Sequence, residues 1–293
     1  NNMTFYSYEI INRSTYTLTN TYFSPWTDVD LGYAKDDFVG CDVSRGLGYG
    51  YNGSDTDGNG EPEAYGANPP AVGVDFFQGP YLDPDGIDNP KFNPATGENC
   101  DESINGVNFG NGIIDDERFG MRRFVYHDND QTDHGDPDKA SEYYNYLRGI
   151  WKNGDKMHFG GNAFPGSPGV TDVPCDFMFP YDSDPCRWGT GGLPTGFEGY
   201  WSEETGNNGD KNNPADRRFM QSAGPFTLKP GAVNYITFGV PWARANVNKA
   251  WASVELLRRV DDKCQSMFDN CFDVLDGPDA PDLTFRELDR KLI

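Results

Sequence analysis

Short strand-like segments separated by long irregular stretches dominate this sequence. The segments are rich in Tyr, Phe, Val, Thr and Ile, which favour strands. Predicted strands cover residues 4–11, 16–23, 72–77, 122–127 and 232–240. Pro230 and Gly231 precede the last strand as the central pair of a type II turn, because glycine accepts the positive φ that this turn requires. Such strand–turn–strand units favour a mainly β fold, and we expect a β-sandwich of the jelly-roll or Ig-like type.

Four irregular stretches accompany these strands. They cover residues 50–70, 79–112, 129–138 and 153–213. Compact domains seldom carry loops of this length unless the loops are disordered or held in place. Aromatic residues make up 14% of the chain, which supplies a hydrophobic core and argues against disorder. We therefore expect loops that are tied down by disulfides and calcium ions.

The chain of 293 residues is strongly acidic. Asp and Glu total 46 against 24 Lys and Arg, which gives a formal net charge of −22. This charge repels nucleic acid and anionic membrane surfaces, so we do not expect nucleic-acid binding. No segment approaches 18 consecutive apolar residues, so we do not expect membrane insertion. Both ends resemble cut points within a longer chain, and we expect neighbouring domains of that chain to be its partners.

One segment near the end departs from the β pattern. Over residues 249–272, apolar side chains recur at spacings of three and four, which predicts one C-terminal amphipathic helix. Acidic residues on its polar face disfavour a membrane-surface helix, so we expect the helix to pack on the sandwich. We assign residues 1–275 to a β-rich module, and 276–293 to a linker and the start of a following domain.

Six cysteines indicate an oxidising, extracellular compartment. We predict no free thiol, with Cys175 and Cys186 as the local pair. Cys264 and Cys271 would lie roughly 10 Å apart on a helix, too far for a disulfide. Their candidate partners are Cys41 and Cys100. The chain has no CxxC motif and only three histidines, so zinc is disfavoured.

The clearest candidate for metal binding is the segment at residues 55–61. Asp55, Asp57 and Asn59 occupy alternate positions and Gly60 follows, as in the first half of an EF-hand-type calcium loop. The twelfth position is a glycine, so the bidentate glutamate is missing, and Glu61 and Glu63 are the candidate replacements. The alternative is a solvated acidic turn.

A second candidate is the loop at residues 28–42. Five carboxylates within fifteen residues repel one another unless a cation or hydrogen-bond donors compensate. Apolar neighbours bring them toward the core, so we predict one bound calcium ion, with turn and helix-cap roles as the alternative. The carboxylates belong to Asp28, Asp30, Asp36, Asp37 and Asp42.

Two further acidic segments fit calcium ligation and exposed turns equally well, because Asp, Asn and Gly are common in both. One contains Asp83, Asp85 and Asp88. The other contains Asp128, Asp130 and Asp133.

Catalytic patterns are weak in this chain. It has no GxSxG, HExxH or phosphate-binding glycine loop. His127 and His134 lie among acids, but no nucleophile is identifiable. Glu203 and Glu204 follow Trp201, which is one arrangement for glycosidase acids beside a sugar-stacking ring. Exposed loop aromatics would also suit a carbohydrate-binding face, although core packing is their commoner fate.

Eight stretches resemble a module of large secreted proteins of Bacteroidota that the type IX secretion system exports. They are YEIINRS at 8–14, DVDLG at 28–32, DFVGCD at 37–42, NPPAVGVDFFQGP at 68–80, DERFGMRRF at 116–124, DSDP at 182–185, AGPF at 223–226 and FDNCF at 268–272. The resemblance implies a secreted or cell-surface location within a longer chain. It carries over no catalytic residue.

These observations together favour a non-catalytic, calcium-stabilised structural or adhesive module of a surface or filament protein. Its further candidate partners are other copies of itself and surface glycans. The alternative is a carbohydrate-binding module or a polysaccharide-acting enzyme domain.

Overall fold

The computed structural model describes residues 2–196, 199–206 and 211–272, together with the backbone of two short strands beyond them. The fold is mainly β, with antiparallel sheets. The strands are β1 Met3–Ile11, β2 Leu18–Phe23, β3 Trp26–Asp28, β4 Asp37–Asp42, β5 Leu47–Asn52, β6 Thr56–Asp57, β7 Gly66–Ala67, β8 Ala71–Gln78, β9 Arg123–Asp128, β10 His158–Gly160, β11 Val170–Pro174, β12 Arg217–Leu228, β13 Val233–Ala243, β14 Glu287–Leu288 and β15 Lys291–Leu292. The helices are α1 Ala140–Leu147 and α2 Ala250–Asp269, with a 3-10 segment at Pro185–Thr190.

Two larger sheets carry the fold. The first has five strands in the order β1-β13-β8-β5-β4, and every neighbouring pair is antiparallel. The second is built on β12, which pairs with β2, β3 and β9. Strand β1 lies at one edge of the five-stranded sheet.

One hydrophobic core fills the space between the two larger sheets. Val74 and Phe76 of β8 contribute to it from the first sheet, and Phe124 and Phe219 contribute from the second. Gly48 of β5 marks the closest approach, because a Cβ there would lie 2.8 Å from a ring atom of Phe124 and 2.9 Å from one of Phe219. The inner faces of the two sheets therefore face each other.

Helix α2 covers the opposite face of the five-stranded sheet. Val254 and Leu257 are buried in a second core with Tyr49 and Tyr51 of β5, and Trp251 packs on both tyrosine rings. The predicted C-terminal amphipathic helix is therefore confirmed. It packs on one face of the five-stranded sheet, and the second sheet packs on the other face. The predicted linker and following domain at 276–293 lie mostly outside the described residues.

The interpretation of residues 28–42 as a single loop is wrong, because residues 37–42 form β4 and all six are buried. Successive side chains of β4 point to opposite faces of the five-stranded sheet, and both faces are buried. Phe38 faces the core beneath α2, whereas Val39 and Cys41 belong to the core between the sheets. Helix α1 was not predicted from the sequence. It has eight residues and buries only Tyr146, so it lacks the repeated apolar positions that indicate a helix.

The predicted pairing of Cys175 with Cys186 is also wrong. Cys186 instead forms a disulfide with Cys100, which joins the loop after β8 to the 3-10 segment. Cys175 is a buried free thiol, as are Cys41 and Cys264, and Cys271 is free and exposed. The prediction that the native protein has no free thiol is therefore also wrong. The short sequence separation of Cys175 and Cys186 predicted the wrong pair, because Cys175 is buried in the core whereas Cys186 lies at the surface.

Candidate functional site

An open cleft of about 740 Å³ lies where the second sheet leaves part of the inner face of the first sheet uncovered. Five exposed aromatic side chains line this aromatic cleft: Tyr6, Tyr8, Trp26, Tyr65 and Trp242. Trp26 is 52% exposed and Trp242 is 39% exposed. Large aromatic rings usually pack in cores, so this concentration in one concave surface is typical of a binding site.

The strand geometry of β1 orients two of these rings. Tyr6 and Tyr8 are two residues apart, so they lie on the same side of the strand. Both stack on Phe238 of β13, with ring centroids 5.4 and 5.5 Å away and interplanar angles of 25° and 10°. The two tyrosines therefore present nearly parallel rings to the cleft.

A buried histidine holds Trp26 in place. The indole stacks on His127 at 6.4 Å with an interplanar angle of 7°, and its Nε1 donates to His127 Nε2 at 3.2 Å. Burial lowers the pKa of His127, so the ring is neutral at pH 7 and its Nε2 can accept. Its Nδ1 lies 3.2 Å from Asp136 Oδ1, although the two groups are not aligned as a hydrogen bond. His127 Nε2 accepts a hydrogen bond from the Trp26 indole, so the position that a catalytic nucleophile would take is occupied by Trp26.

Three carboxylates converge at the end of the aromatic cleft. Asp28, Asp30 and Asp216 each place an oxygen within 4.8 Å of the others, and the first two line the cleft. Arg218 Nε donates to Asp28 Oδ2 at 3.0 Å. Partial burial, followed by Asp28 and Asp216, raises the pKa of Asp30. We call Asp28, Asp30 and Asp216 the rim triad.

Sequence reasoning missed Asp216, and no local pattern marks it. Antiparallel pairing places Arg218 of β12 opposite Asp28 of β3, which brings the start of β12 beside the predicted loop. Only that register brings Asp216 close to Asp28 and Asp30.

The two clearest predicted calcium loops pack directly against each other. Asp36 Oδ2 accepts a hydrogen bond from Gly58 N at 2.9 Å. In the reverse direction, Asp57 Oδ1 accepts from Tyr33 N at 3.0 Å, and its Oδ2 accepts from Tyr65 N. Backbone donors therefore join the segments at 28–42 and 55–61 into one acidic corner.

Not all oxygen atoms in this corner are satisfied. Asp36 Oδ1, Asp37 Oδ1 and Asn52 Oδ1 are buried and have no hydrogen-bond partner among the described residues. Asp37 Oδ2 accepts from Leu31 N at 3.2 Å, yet burial raises the pKa of this carboxyl to about 9. We call Asp36, Asp37, Asn52 and Asp57 the Asp37 cluster. Hard oxygen atoms without donors are the chemistry that Ca²⁺ requires.

The other predicted ligands of these two loops point elsewhere. Asp42 is buried between Arg45 and Arg258, whose nitrogens lie 2.8 and 2.9 Å from its Oδ2. Asp55 Oδ1 accepts from Ala250 N, so it caps the start of α2. Glu61 accepts from the backbone N–H of Asn59. The structure therefore does not bring these side chains into one coordination shell with Asp57.

In the segment at 83–88, backbone donors occupy the carboxylates. Asp83 accepts from the backbone and the hydroxyl of Thr227, both at 2.7 Å. Asp85 Oδ1 accepts from Ile87 N at 3.0 Å. Asp88 accepts from the backbone N–H groups of Gly110 and Gly112. These contacts favour the turn interpretation, and they attach this loop to residues 107–118.

The fourth acidic segment is likewise held by protein donors. Asp128 forms an ion pair with Arg217, and Asp130 Oδ1 accepts from Thr132 N at 2.8 Å. Glu203 is fully buried and paired with the same arginine at 2.7 Å, and it also accepts from Val39 N. A buried, fully engaged carboxylate cannot reach a substrate, which removes the glycosidase interpretation of Glu203.

Within the described part of the chain, no helix combines the length and apolar character needed to cross a membrane. Comparison of the whole chain with protein-family models, with curated proteins and with solved structures gave no match.

Proposed function

We propose that this chain is a non-catalytic adhesive module of a larger secreted or cell-surface protein, which binds glycans in the aromatic cleft and is stabilised by calcium. The observation that carries the proposal is the pairing of exposed tryptophans with convergent carboxylates in one concave surface. Trp26 and Trp242 line the cleft, and Asp28 and Asp30 lie at its end. Sugar rings stack their C–H faces on aromatic rings, and carboxylates accept hydrogen bonds from sugar hydroxyls.

Preorganised rings support this proposal. Trp26 is fixed by His127, and Tyr6 and Tyr8 are fixed by Phe238. A ring that is already held in place loses little conformational entropy when a ligand stacks on it. The cleft is also open at the surface, which suits a ligand that extends beyond it more than a small enclosed one.

The geometry of the rim triad favours binding over cleavage. The three oxygen atoms here lie within 4.8 Å of one another, and Arg218 already engages Asp28. Crowded carboxylates are better suited to accepting hydrogen bonds from hydroxyl groups, or to holding a cation that coordinates hydroxyl oxygens.

The remaining features of the proposal follow from the rest of the fold. The two facing sheets support a β-sandwich, of either jelly-roll or Ig-like type. The Cys100–Cys186 disulfide supports an extracellular location. The unsatisfied oxygen atoms of the Asp37 cluster support the proposal that a calcium ion binds in the acidic corner and stabilises it. The resemblance to type IX-exported modules of Bacteroidota is consistent with a cell-surface role.

A structural role in a filament or stalk is the second candidate, and one observation favours it. Strand β1 ends the five-stranded sheet, so its outer edge carries backbone groups that a neighbouring strand could pair with. In that case other copies of the chain or its neighbouring domains would be the partners.

A glycan array followed by calorimetric titration of the best ligand tests the glycan proposal. We expect micromolar binding, and we expect Trp26→Ala and Trp242→Ala each to weaken it about tenfold or more, because a ligand ring that stacks on an aromatic side chain gains about 1–3 kcal/mol, as nucleobases do. Tyr16→Ala is the matched control, since Tyr16 is 76% exposed and lies outside the cleft.

Two outcomes would count against this proposal. The absence of any glycan ligand, together with concentration-dependent self-association, would favour the structural role. Release of reducing sugar from a bound polysaccharide, with loss of that activity in Asp30→Asn, would favour an enzyme.

A further inference from the structure

Strand β1 ends the five-stranded sheet, and its outer edge pairs with no strand in the described part of the chain. Its register with β13 is unbroken over nine residue pairs, from Met3 opposite Pro241 to Ile11 opposite Val233. The strand has no lysine, proline, glycine or bulge, so it lacks the features with which natural proteins protect an exposed edge. The edge is therefore long, regular and open to a further strand.

The flanking hydrogen bonds show which backbone groups of β1 face outward. Trp242 N donates to Asn2 O at 2.8 Å at one end, and Asn12 N donates to Ala232 O at 3.0 Å at the other. Both pairs follow the β1–β13 register, and bonded pairs recur at every second residue of an antiparallel ladder. The even-numbered residues of β1 therefore bond to β13. The odd-numbered residues direct N–H and C=O groups to the outer edge, where these groups meet no partner among the described residues; they are Met3, Phe5, Ser7, Glu9 and Ile11.

The opposite edge of the same sheet is closed by loops. Strand β4 is the last strand there, and its Val39 N–H donates to the Glu203 carboxylate at 2.9 Å. Two residues along, Cys41 N–H donates to Phe179 O at 3.3 Å. Outward backbone donors are thus satisfied at β4 and open at β1. Strand β1 is therefore the edge to which a strand from outside the molecule can add.

The sequence of β1 is complementary to a second copy of itself. Antiparallel pairing of all nine residues with the same nine is possible in one register only, in which Ser7 lies opposite Ser7 of the second copy. Odd-numbered residues then lie opposite odd-numbered residues, so outward backbone groups meet outward backbone groups. Tyr6 lies opposite Tyr8 of the second copy, and aromatic cross-strand pairs stabilise a sheet. These tyrosines are 43% and 45% exposed, so the pairing buries aromatic surface that is otherwise open to solvent.

The distribution of charge permits this contact although the chain as a whole is acidic. Two copies with a formal net charge of −22 each repel one another. Glu9 is the only charged residue of β1, and in this register it lies opposite Phe5 of the second copy. The two glutamates are then roughly 14 Å apart, which exceeds the screening length of about 8 Å at physiological salt. An identical, nearly uncharged strand therefore fits this edge without close contact between carboxylates.

We propose that β1 pairs with β1 of a second copy of this chain about a twofold axis at Ser7, which joins the two five-stranded sheets into one. The contact is isologous, so the assembly closes at the dimer. Tyr6 and Tyr8 line the aromatic cleft, so the pairing brings the clefts of the two copies side by side. The proposal rests on the strand edge and not on glycan binding, because a monomer can bind a glycan and a dimer need not.

Sedimentation equilibrium over a wide range of protein concentrations tests the pairing. We expect a monomer–dimer equilibrium that strengthens when NaCl is raised, because salt screens the repulsion between two acidic copies. Ser7→Pro removes the central outward N–H and leaves the bonds to β13 intact, since proline is tolerated where an edge N–H faces outward. It should weaken dimerisation at least about tenfold, because two hydrogen bonds are lost from the dimer. Ser7→Ala is the matched control and should dimerise like the unaltered protein, because it keeps the N–H.

Disulfide cross-linking tests the register without depending on how Ser7→Pro folds. Both cysteine variants carry Cys271→Ser, which removes the exposed free thiol. Ser7→Cys should give a disulfide-linked dimer under mild oxidation, because the Cα atoms of a hydrogen-bonded antiparallel pair lie about 5.5 Å apart. Glu9→Cys is the control and should stay unlinked, since its Cα atoms would lie roughly 14 Å apart in the dimer.

Three results would overturn the proposal. The first is a monomer at every concentration and salt. The second is dimerisation that Ser7→Pro leaves unchanged, because the contact would then lie elsewhere. The third is equal cross-linking of Ser7→Cys and Glu9→Cys, because the register about Ser7 would then be wrong. None of these measurements uses a glycan, so they do not depend on the outcome of the glycan array.

Discussion

Asp37 and Asn52 lie directly opposite each other on β4 and β5, and each buries a side-chain oxygen that no donor in the described part of the chain reaches. Opposite residues in an antiparallel pair place their side chains on the same face. Two acceptors therefore meet at the point where the predicted calcium loops converge. The proposed calcium ion would satisfy both; without it, Asp37 keeps one buried oxygen atom that has no partner among the described residues.

Asp37→Asn should stabilise the calcium-free protein at alkaline pH. Burial raises the pKa of Asp37 to about 9, so the folded protein holds this proton more tightly than the unfolded chain does. The stability contributed by the protonated form is complete below about pH 4 and is lost as pH rises toward 9. In EDTA at pH 8 we expect the variant to melt several degrees above the unaltered protein, and at pH 4 we expect the two to coincide. A variant that is less stable at pH 8 would contradict this account.

Calcium should stabilise the protein through the Asp37 cluster. A ligand that binds only the folded state raises the melting temperature by mass action, and we expect several degrees between EDTA and millimolar calcium. Asp36→Asn/Asp57→Asn should reduce that difference, because Asp36 carries one of the unsatisfied oxygen atoms and the charge of Asp57 acts on both Asp36 and Asp37. Asp83→Asn is the control and should keep it, since Thr227 donors occupy Asp83. Identical melting curves with and without calcium would remove the cofactor from the proposal.

Glu203→Gln should destabilise the fold by about 3 kcal/mol, because removing one partner of a buried ion pair leaves an uncompensated charge. Arg217 would keep only Asp128 as its ionised partner. Glu204→Gln serves as the control, since Glu204 is adjacent and exposed. Denaturant unfolding measures both variants. Equal midpoints would indicate that Asp128 alone compensates Arg217.

Thiol titration without reducing agent should find one reactive thiol in the native protein and four after denaturation. Cys271 is exposed, whereas Cys41, Cys175 and Cys264 are buried. Burial raises the pKa of the Cys41 and Cys175 thiols, which suppresses the reactive thiolate further. Two thiols or none after denaturation would show that further cysteines pair.

Reduction of Cys100–Cys186 should lower the stability by about 4 kcal/mol, because the bond closes a loop across a sequence separation of 86 residues. Cys100→Ser/Cys186→Ser should reproduce that loss in the absence of reductant. Cys271→Ser is the control and should leave the melting temperature unchanged. If reductant lowers the stability of the double variant as well, another bond is being reduced.

Local sequence patterns determined the elements whose side chains repeat at a regular spacing. Strand β8 occupies residues 71–78 where the sequence predicts 72–77, and helix α2 occupies 250–269 where it predicts 249–272. In both cases an apolar face packs against a core, and such a face is visible in the order of residues alone. The Asp- and Gly-rich turns were equally visible, because these residues favour turns wherever the chain places them.

The partners of each polar side chain were decided by the tertiary structure. Asp28, Asp36 and Asp42 lie close in sequence, yet they face Arg218, Gly58 and Arg258 respectively. Likewise, only the β3–β12 register brings Asp216 to Asp28, and only the docking of α2 brings Asp261 to Asp75. A sequence gives the type of each ligand atom and its spacing along the chain. Convergence of those atoms depends on strand register and helix packing, which arise from contacts between residues far apart in the sequence.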